Sequence, residues 1–242
     1  MSFNGLTNTM VEADGILYFG GGFSYAGRYV GTGVILDGNS GARLSHSKEK
    51  VRGEIYAAVA DGNGGYYIGG TFTYVGTVPR SRIAHILADG SLDTNFNPNA
   101  NGDVFSLSLS SNVLLAGGLF TTIGGQTRAR FAGLNATTGT ALGWSADADG
   151  TVMAIAATGS KAYIGGLFAN VGGQARARLA EVDVTTGAVA TFNPSASNTV
   201  RALALSGTVL FAGGSFATIG GQSRSGLAAI DTTIATNNAI AG

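Results

Sequence analysis

A Gly-Gly pair, one intervening residue and a phenylalanine recur along this chain at a nearly fixed interval. The copies are Gly69-Gly70 before Phe72, Gly117-Gly118 before Phe120, Gly165-Gly166 before Phe168 and Gly213-Gly214 before Phe216, each 48 residues after the last. Gly20-Gly21 before Phe23 precedes them by 49. A period held this closely means one structural unit used five times, because stacked repeats bury a continuous core that no single repeat can bury alone.

Other columns keep the same phase. Thr121–Gln126, Ala169–Gln174 and Ala217–Gln222 all end in Gly-Gly-Gln. Spaced arginines follow: Arg80 and Arg82, Arg128 and Arg130, Arg176 and Arg178, then Arg224 alone. An aromatic closes the units at Phe96-Asn97-Pro98, Trp144-Ser145-Ala146 and Phe192-Asn193-Pro194. Unit one fits worst, since its Arg28 and Arg43 fall outside the arginine column.

Within a unit the apolar period is two. Val104–Leu109 partly alternates, Val113–Ala116 is a short continuous apolar run, and Arg130–Asn135 alternates again. These are the patterns of half-buried and fully buried strands, and a weaker fourth strand is expected near Thr140–Trp144. No twelve-residue window carries a helical apolar period. Four short strands per unit, with Gly-Gly ending the second, predict an all-β fold. The expected form is a β-propeller of five four-stranded blades, approximately 1–50, 51–99, 100–147, 148–195 and 196–242. The chain starts and stops at the same phase of the repeat, which suits a ring whose ends meet or an array cut from a longer protein.

Composition removes several alternatives. Glycine is abundant at 40 residues but proline numbers only 3, so the glycines are read as tight turns in a repetitive fold rather than as a Pro/Gly-rich disordered tract. The formal net charge is zero, which argues against nucleic-acid binding, whose affinity comes largely from a basic surface. There is no cysteine, hence no disulfide framework, thiolate nucleophile or Cys-based zinc site. No stretch approaches the roughly 18 apolar residues of a membrane helix, and residues 1–20 show no signal-peptide pattern. Neither membrane insertion nor a cofactor is expected.

The chain resembles a known family through unit two. Tyr67-Ile68-Gly69-Gly70-Thr71-Phe72, followed by the run from Arg82-Ile83-Ala84-His85 through Ala88-Asp89-Gly90-Ser91-Leu92-Asp93 to Phe96-Asn97-Pro98, is similar to the delta-60 repeat family of bacterial β-propellers. Units three to five follow the same pattern, with Thr-Thr-Gly in place of Ala-Asp-Gly in units three and four. A more distant likeness is to kelch repeats. The resemblance implies a propeller, often within a large secreted or surface-anchored parent protein, and implies no catalytic residues.

In an antiparallel meander alternate turns share an end, so the Gly-Gly-Gln-x-Arg loops and the Phe-Asn-Pro connections are expected on one face. Arg80, Arg128, Arg176 and Arg224 are the candidate ligand-binding residues there, because a guanidinium presents a bidentate fork to carboxylate, phosphate or acidic sugar. The competing reading has each arginine satisfying backbone carbonyls across to the next blade. The Gly-Gly pairs lead into no helix and no Gly-Lys-Ser/Thr follows, so they are not phosphate loops. Asp147-Ala148-Asp149-Gly150 and Asp61-Gly62-Asn63-Gly64 resemble calcium loops but lack the closing glutamate, and turn formation accounts for both. His46 and His85 are isolated in sequence, with no recognisable nucleophile and orienting group beside them, and the acids are scattered.

The resulting expectation is a non-enzymatic binding or adhesion module, secreted, at a cell surface or on a phage virion, that recognises glycan or protein on its inter-blade loop face. The alternatives are a structural or assembly unit and a glycan-active enzyme. An unclosed ring would leave edges open to self-association.

Overall fold

The structure, a computed structural model, describes residues 4–13, 16–23, 33–37, 50–236 and 238–240. Arg28, Arg43 and His46 lie outside the described residues. Among the described residues every regular element is a strand.

Five three-stranded antiparallel meanders follow one another along the chain, and in units two to five a short hairpin between the second and third strands forms a further small sheet: Tyr74–Val75 with Val78–Pro79, joined by Val51–Arg52, then Thr122–Ile123 with Gln126–Thr127, Asn170–Val171 with Gln174–Ala175 and Thr218–Ile219 with Gln222–Ser223. Unit one is built from Thr7–Ala13, Ile16–Gly21 and Gly33–Asp37, and unit two from Ile55–Ala60, Tyr66–Gly70 and Ile83–Ile86. Unit three uses Val104–Ser110, Val113–Gly118 and Phe131–Asn135. Unit four uses Val152–Thr158, Lys161–Gly166 and Leu179–Asp183, and unit five Val200–Ser206, Val209–Gly214 and Leu227–Asp231. The first strand of each unit packs against the first strand of the next, so these are the inner strands about which the units fan. The register irregularity between the inner and middle strands falls at the same place in every unit, as at Val104/Ser106 and Val152/Ala154. The repeat is thus one of hydrogen-bond geometry as well as of sequence.

The expected fourth strand is reduced. Its segment touches the third strand through a single bridge in units two to five: Ile86 to Leu92, Leu134 to Ala141, Val182 to Val189 and Ile230 to Ala239. In unit three only Asn135 N to Thr140 O and Leu142 N to Gly133 O join the two segments. The physical reason is length. The turn at Thr137–Gly139 ends at Thr140, and four residues later Trp144 leaves the sheet to lie over Gly133.

Each interface between units is built alike. A valine or isoleucine at the start of one inner strand sits over the first glycine of the preceding unit's pair: Ile55 over Gly20, Val104 over Gly69, Val152 over Gly117 and Val200 over Gly165. Only glycine leaves the room. A Cβ at Gly165 would lie 2.6 Å from Val200 Cγ1. Beside each glycine the column Tyr18, Tyr67, Leu115 and Tyr163 is buried, and so is the column Ile83, Phe131 and Leu179. Phe23, Phe72, Phe120, Phe168 and Phe216 are buried under the sheets as the sequence period predicts. Polar clasps cross the same interfaces. Tyr18 OH donates to Gly64 O (3.2 Å), Tyr67 OH to Ala136 O (2.8 Å) and Trp144 Nε1 to Val184 O (3.1 Å).

The pattern stops at unit five. Phe211 and Leu227 occupy the columns just described, yet they are 44% and 67% exposed. At Gly213 the nearest atom to an added Cβ is Ala202 Cβ of its own unit, at 3.8 Å. The inner strands of units five and one do not pack together as the four successive pairs do. The described residues form an open arc of five units.

Candidate functional site

The four arginines singled out by the sequence are each anchored inside their own unit. Arg80 is buried and donates through Nη1 to Pro79 O and through Nη2 to Asp93 O and Thr94 O. Arg128 donates to Thr127 O and Leu142 O. Arg176 donates to Ala175 O, Ala190 O and Gln174 Oε1. Arg224 donates to Ser223 O and Ile240 O. The partners 13 to 16 residues downstream belong to the reduced fourth segment, so these side chains reach outward, away from the inner strands. They tie the hairpin to the outer rim of the same unit, rather than spanning to the next one.

The span between units belongs to the second arginine column. Arg82 donates to Ala100 O and pairs with Asp103 at 3.3 Å, and Arg130 donates to Ala148 O. Arg82, Arg130 and Arg178 all have left-handed backbones (φ 66°, 66° and 64°), and the same position in unit five is Gly226 with φ 77°. A left-handed residue there turns the chain into the third strand, at a cost that glycine avoids.

The loop face carries two equivalent clefts. One, of about 500 Å³, lies between the connection Asn97-Pro98-Asn99 and the hairpin residues Thr122, Ile123, Gly125, Gln126 and Thr127. The other, of about 530 Å³, is lined by Asn193, Pro194 and Ser195 with Thr218, Gly221 and Thr236. Their counterpart residues are 96 positions apart, two units of the repeat. The backbone explains the match. Asn99 and Ser195 are both left-handed (φ 54° and 52°), and the hairpin amides of Gly124 and Gly220 donate to Pro98 O and Pro194 O. The intervening connection Ser145-Ala146-Asp147 takes another path, in which Gly172 N donates to Asp147 O.

The two hairpins that wall these clefts, and the one between them, are each pinned by a side chain of the connection. Asn101 Oδ1 accepts from Thr121 N and Thr122 N, Asp149 Oδ1 from Ala169 N and Asn170 N, and Ser197 Oγ from Ala217 N and Thr218 N. Asp149 also accepts from Asn170 Nδ2. Burial raises its carboxyl pKa, but these donors outweigh that and hold it below the usual range. Asp147 Oδ1 likewise accepts from Ala129 N, and Asp61 Oδ1 from Asn63 N and Gly65 N. The calcium-like sequences therefore serve as backbone caps. Leu119 and Leu167, directly after the middle strands, expose apolar surface at the same end of the sheets.

The opposite face holds a feature that sequence spacing does not announce. His85 Nδ1 lies 3.0 Å from Asp93 Oδ2, and its Nε2 lies 3.1 Å from Asp61 Oδ2. The imidazole stacks on Tyr67 at 4.2 Å between centroids. Burial raises the carboxyl pKa of Asp93, but the bond from His85 and the backbone amides of Asn95 and Phe96 bring it below the ordinary value. The Tyr67 phenol is pushed up to about 12, by burial first and by the charges of Asp61 and Asp93 second. A small cavity of about 270 Å³ opens beside this group, toward Ser111, Asn112 and Thr137 of unit three. Both imidazole nitrogens are engaged by carboxylates, so the ring acts as a fastener between the hairpin turn and the outer rim of unit two. The corresponding position pairs Glu181 with Lys161 at 3.0 Å in unit four.

Comparison with known proteins agrees with this architecture. A family described as "Domain of unknown function (DUF5122) beta-propeller" matches residues 62–96. No curated protein sequence matches the chain. The WD40 β-propeller domain of Doa1 superposes on 100% of this chain and 69% of its own, with a TM-score of 0.66 and 12% identity. The computationally designed Ika8 protein covers 97% of this chain and 73% of its own, with a TM-score of 0.59 and 14% identity. BamB from Moraxella catarrhalis covers 96% of this chain and 61% of its own, at 0.52 and 15%. The fold is that of a β-propeller. Among the described residues no helix is long and apolar enough to cross a membrane.

Proposed function

We propose that this chain is a non-enzymatic binding module, a run of five propeller blades that takes a polar ligand, glycan or polypeptide, in the clefts of its loop face. The observation that carries this reading is the recurrence of one cleft at Asn97-Pro98-Asn99 and at Asn193-Pro194-Ser195. Asparagine, threonine and glutamine side chains supply uncharged donors and acceptors there, which suits hydroxyl and amide groups. Two copies of a weak site on one rigid body give avidity for a repetitive ligand, such as a polysaccharide or a surface array. The arginines Arg80, Arg128, Arg176 and Arg224 hold the cleft walls in place. Resemblance to the delta-60 repeat propellers favours a secreted, surface-bound or virion setting.

A glycan array and a peptide panel test the proposal, with Asn97→Ala, Asn193→Ala and the double variant alongside the parent. Each single change is expected to weaken multivalent binding, and the double change to abolish it. Binding that survives the double variant, or no binding by the parent on either panel, rejects the clefts as the site. A second reading, an assembly unit, is favoured by one observation, the apolar face that unit five leaves open.

A further inference from the structure

We infer that the open face of unit five docks against unit one of a second copy of this chain, head to tail. The chain already makes this interface four times internally, and its two free faces are the unmatched halves of a fifth.

On unit five, Phe211 stands in the column of Tyr18, Tyr67, Leu115 and Tyr163, Leu227 in that of Ile83, Phe131 and Leu179, and Gly213 in that of the glycines that receive a valine or isoleucine. Wherever a following unit is present, these columns are buried. On unit one, Thr7 pairs with Gly21 as Val104 pairs with Gly118 and Val200 with Gly214, so Thr7 holds the position of the inserted valine. Threonine has the shape of valine and enters the same slot. Met10 pairs with Phe19 as Leu107 pairs with Ala116 and Leu203 with Ala212, and it is 61% exposed. Thr7 over Gly213 and Met10 beside Phe211 would repeat the register of Val200 over Gly165 and Leu203 beside Tyr163. Exposed apolar faces of this kind mark interaction surfaces.

The arrangement of the units favours a second molecule over closure of the ring on itself. The inner strands of units five and one do not pack together as the four successive pairs do, so among the described residues the two faces do not meet within one molecule. A face that differs from the face it meets makes a heterologous contact, which propagates to a larger ring or a filament.

The contact is weaker than the internal ones, because unit five lacks both clasps. The tyrosine hydroxyl is gone at Phe211, and the bridging arginine is replaced by Gly226. Association is therefore reversible and concentration-dependent.

Sedimentation velocity of the full chain across a concentration series tests the inference, with Leu227→Lys and Met10→Lys as variants. Both side chains are exposed, so circular dichroism of each variant is expected to match the parent. The parent mass rises past twice the monomer with concentration, each variant alone stays monomeric, and the two variants mixed form a dimer and nothing larger, since each retains one intact face. A parent that is monomeric throughout overturns the inference. So does association that Leu227→Lys removes and Met10→Lys leaves intact, which would mean that unit-five faces pair with each other. Association insensitive to both changes overturns it as well.

Discussion

Replacing glycine by alanine at two equivalent positions separates an interface that is occupied from one that is open. At Gly165 an added Cβ meets Val200 Cγ1 at 2.6 Å, Val200 Cβ at 3.2 Å and Leu203 Cδ1 at 3.4 Å, all on the next unit. The inner strand of unit five must move away or its side chains must leave their rotamers, and overpacking of this kind costs about 1–3 kcal/mol. The loss of unfolded-chain entropy on replacing glycine offsets about 0.4–1 kcal/mol of that. Gly165→Ala should therefore destabilise by up to about 2.5 kcal/mol after the offset. At Gly213 the nearest atom is 3.8 Å away, an ordinary contact, and nothing from another unit lies within reach. There only the entropy term remains, so Gly213→Ala should leave stability unchanged or raise it by up to about 1 kcal/mol. Urea unfolding of dilute protein, followed by circular dichroism, measures both. A loss at Gly213 equal to that at Gly165 would refute the reasoning, because it would mean that another unit covers Gly213 in the monomer.

Other outcomes follow from the same packing. Phe168→Ala removes a fully buried ring and should cost about 3–5 kcal/mol in urea melts, and a loss below about 1 kcal/mol would place the ring at the surface. Tyr67→Phe deletes the bond to Ala136 O and leaves that carbonyl buried, for about 1–2 kcal/mol, whereas Phe211→Tyr, on the open face, should change monomer stability by less than about 0.5 kcal/mol. The Asp93 carboxyl titrates below its ordinary value, so the stability it contributes is present above the normal carboxylate range and is lost as pH falls through its lower folded value. Acid unfolding of His85→Gln should show a shallower loss over that window, and an unaltered acid limb would mean that the His85 contact does not hold Asp93.

Much of the architecture is legible in the sequence because the repeat is rigid at the positions that decide packing. The Gly-Gly pairs mark where the next unit's Val or Ile enters, and the phenylalanine column marks the buried floor. The reduced fourth strand is harder to read, because Thr140–Trp144 has strand composition, yet only four residues separate the end of the turn from Trp144, which leaves the sheet to lie over Gly133. Two arginine columns look equivalent in sequence, yet a left-handed backbone at Arg82 and Arg130 sends those side chains to the next unit while Arg80 and Arg128 stay within their own. The His85 fastener is invisible beforehand, since Asp61 is 24 residues away and meets it only through strand register. Unit five's single arginine is visible in the sequence. Its physical meaning, a missing clasp on an open face, needs the exposure of Phe211 and Leu227.

The openness of the arc is tested most directly by a distance between its two ends. The chain has no cysteine, so spin labels can be placed cleanly at Glu12→Cys on the inner strand of unit one and Ser206→Cys on that of unit five. The double variant is diluted into excess unlabelled protein. Thr158→Cys with Ser206→Cys, across the packed interface of units four and five, supplies the reference for neighbouring inner strands. Pulsed electron paramagnetic resonance is expected to give a distance between units one and five well beyond that reference. A narrow distribution coincident with the reference would mean that the inner strands of units one and five are neighbours, and the ring is closed.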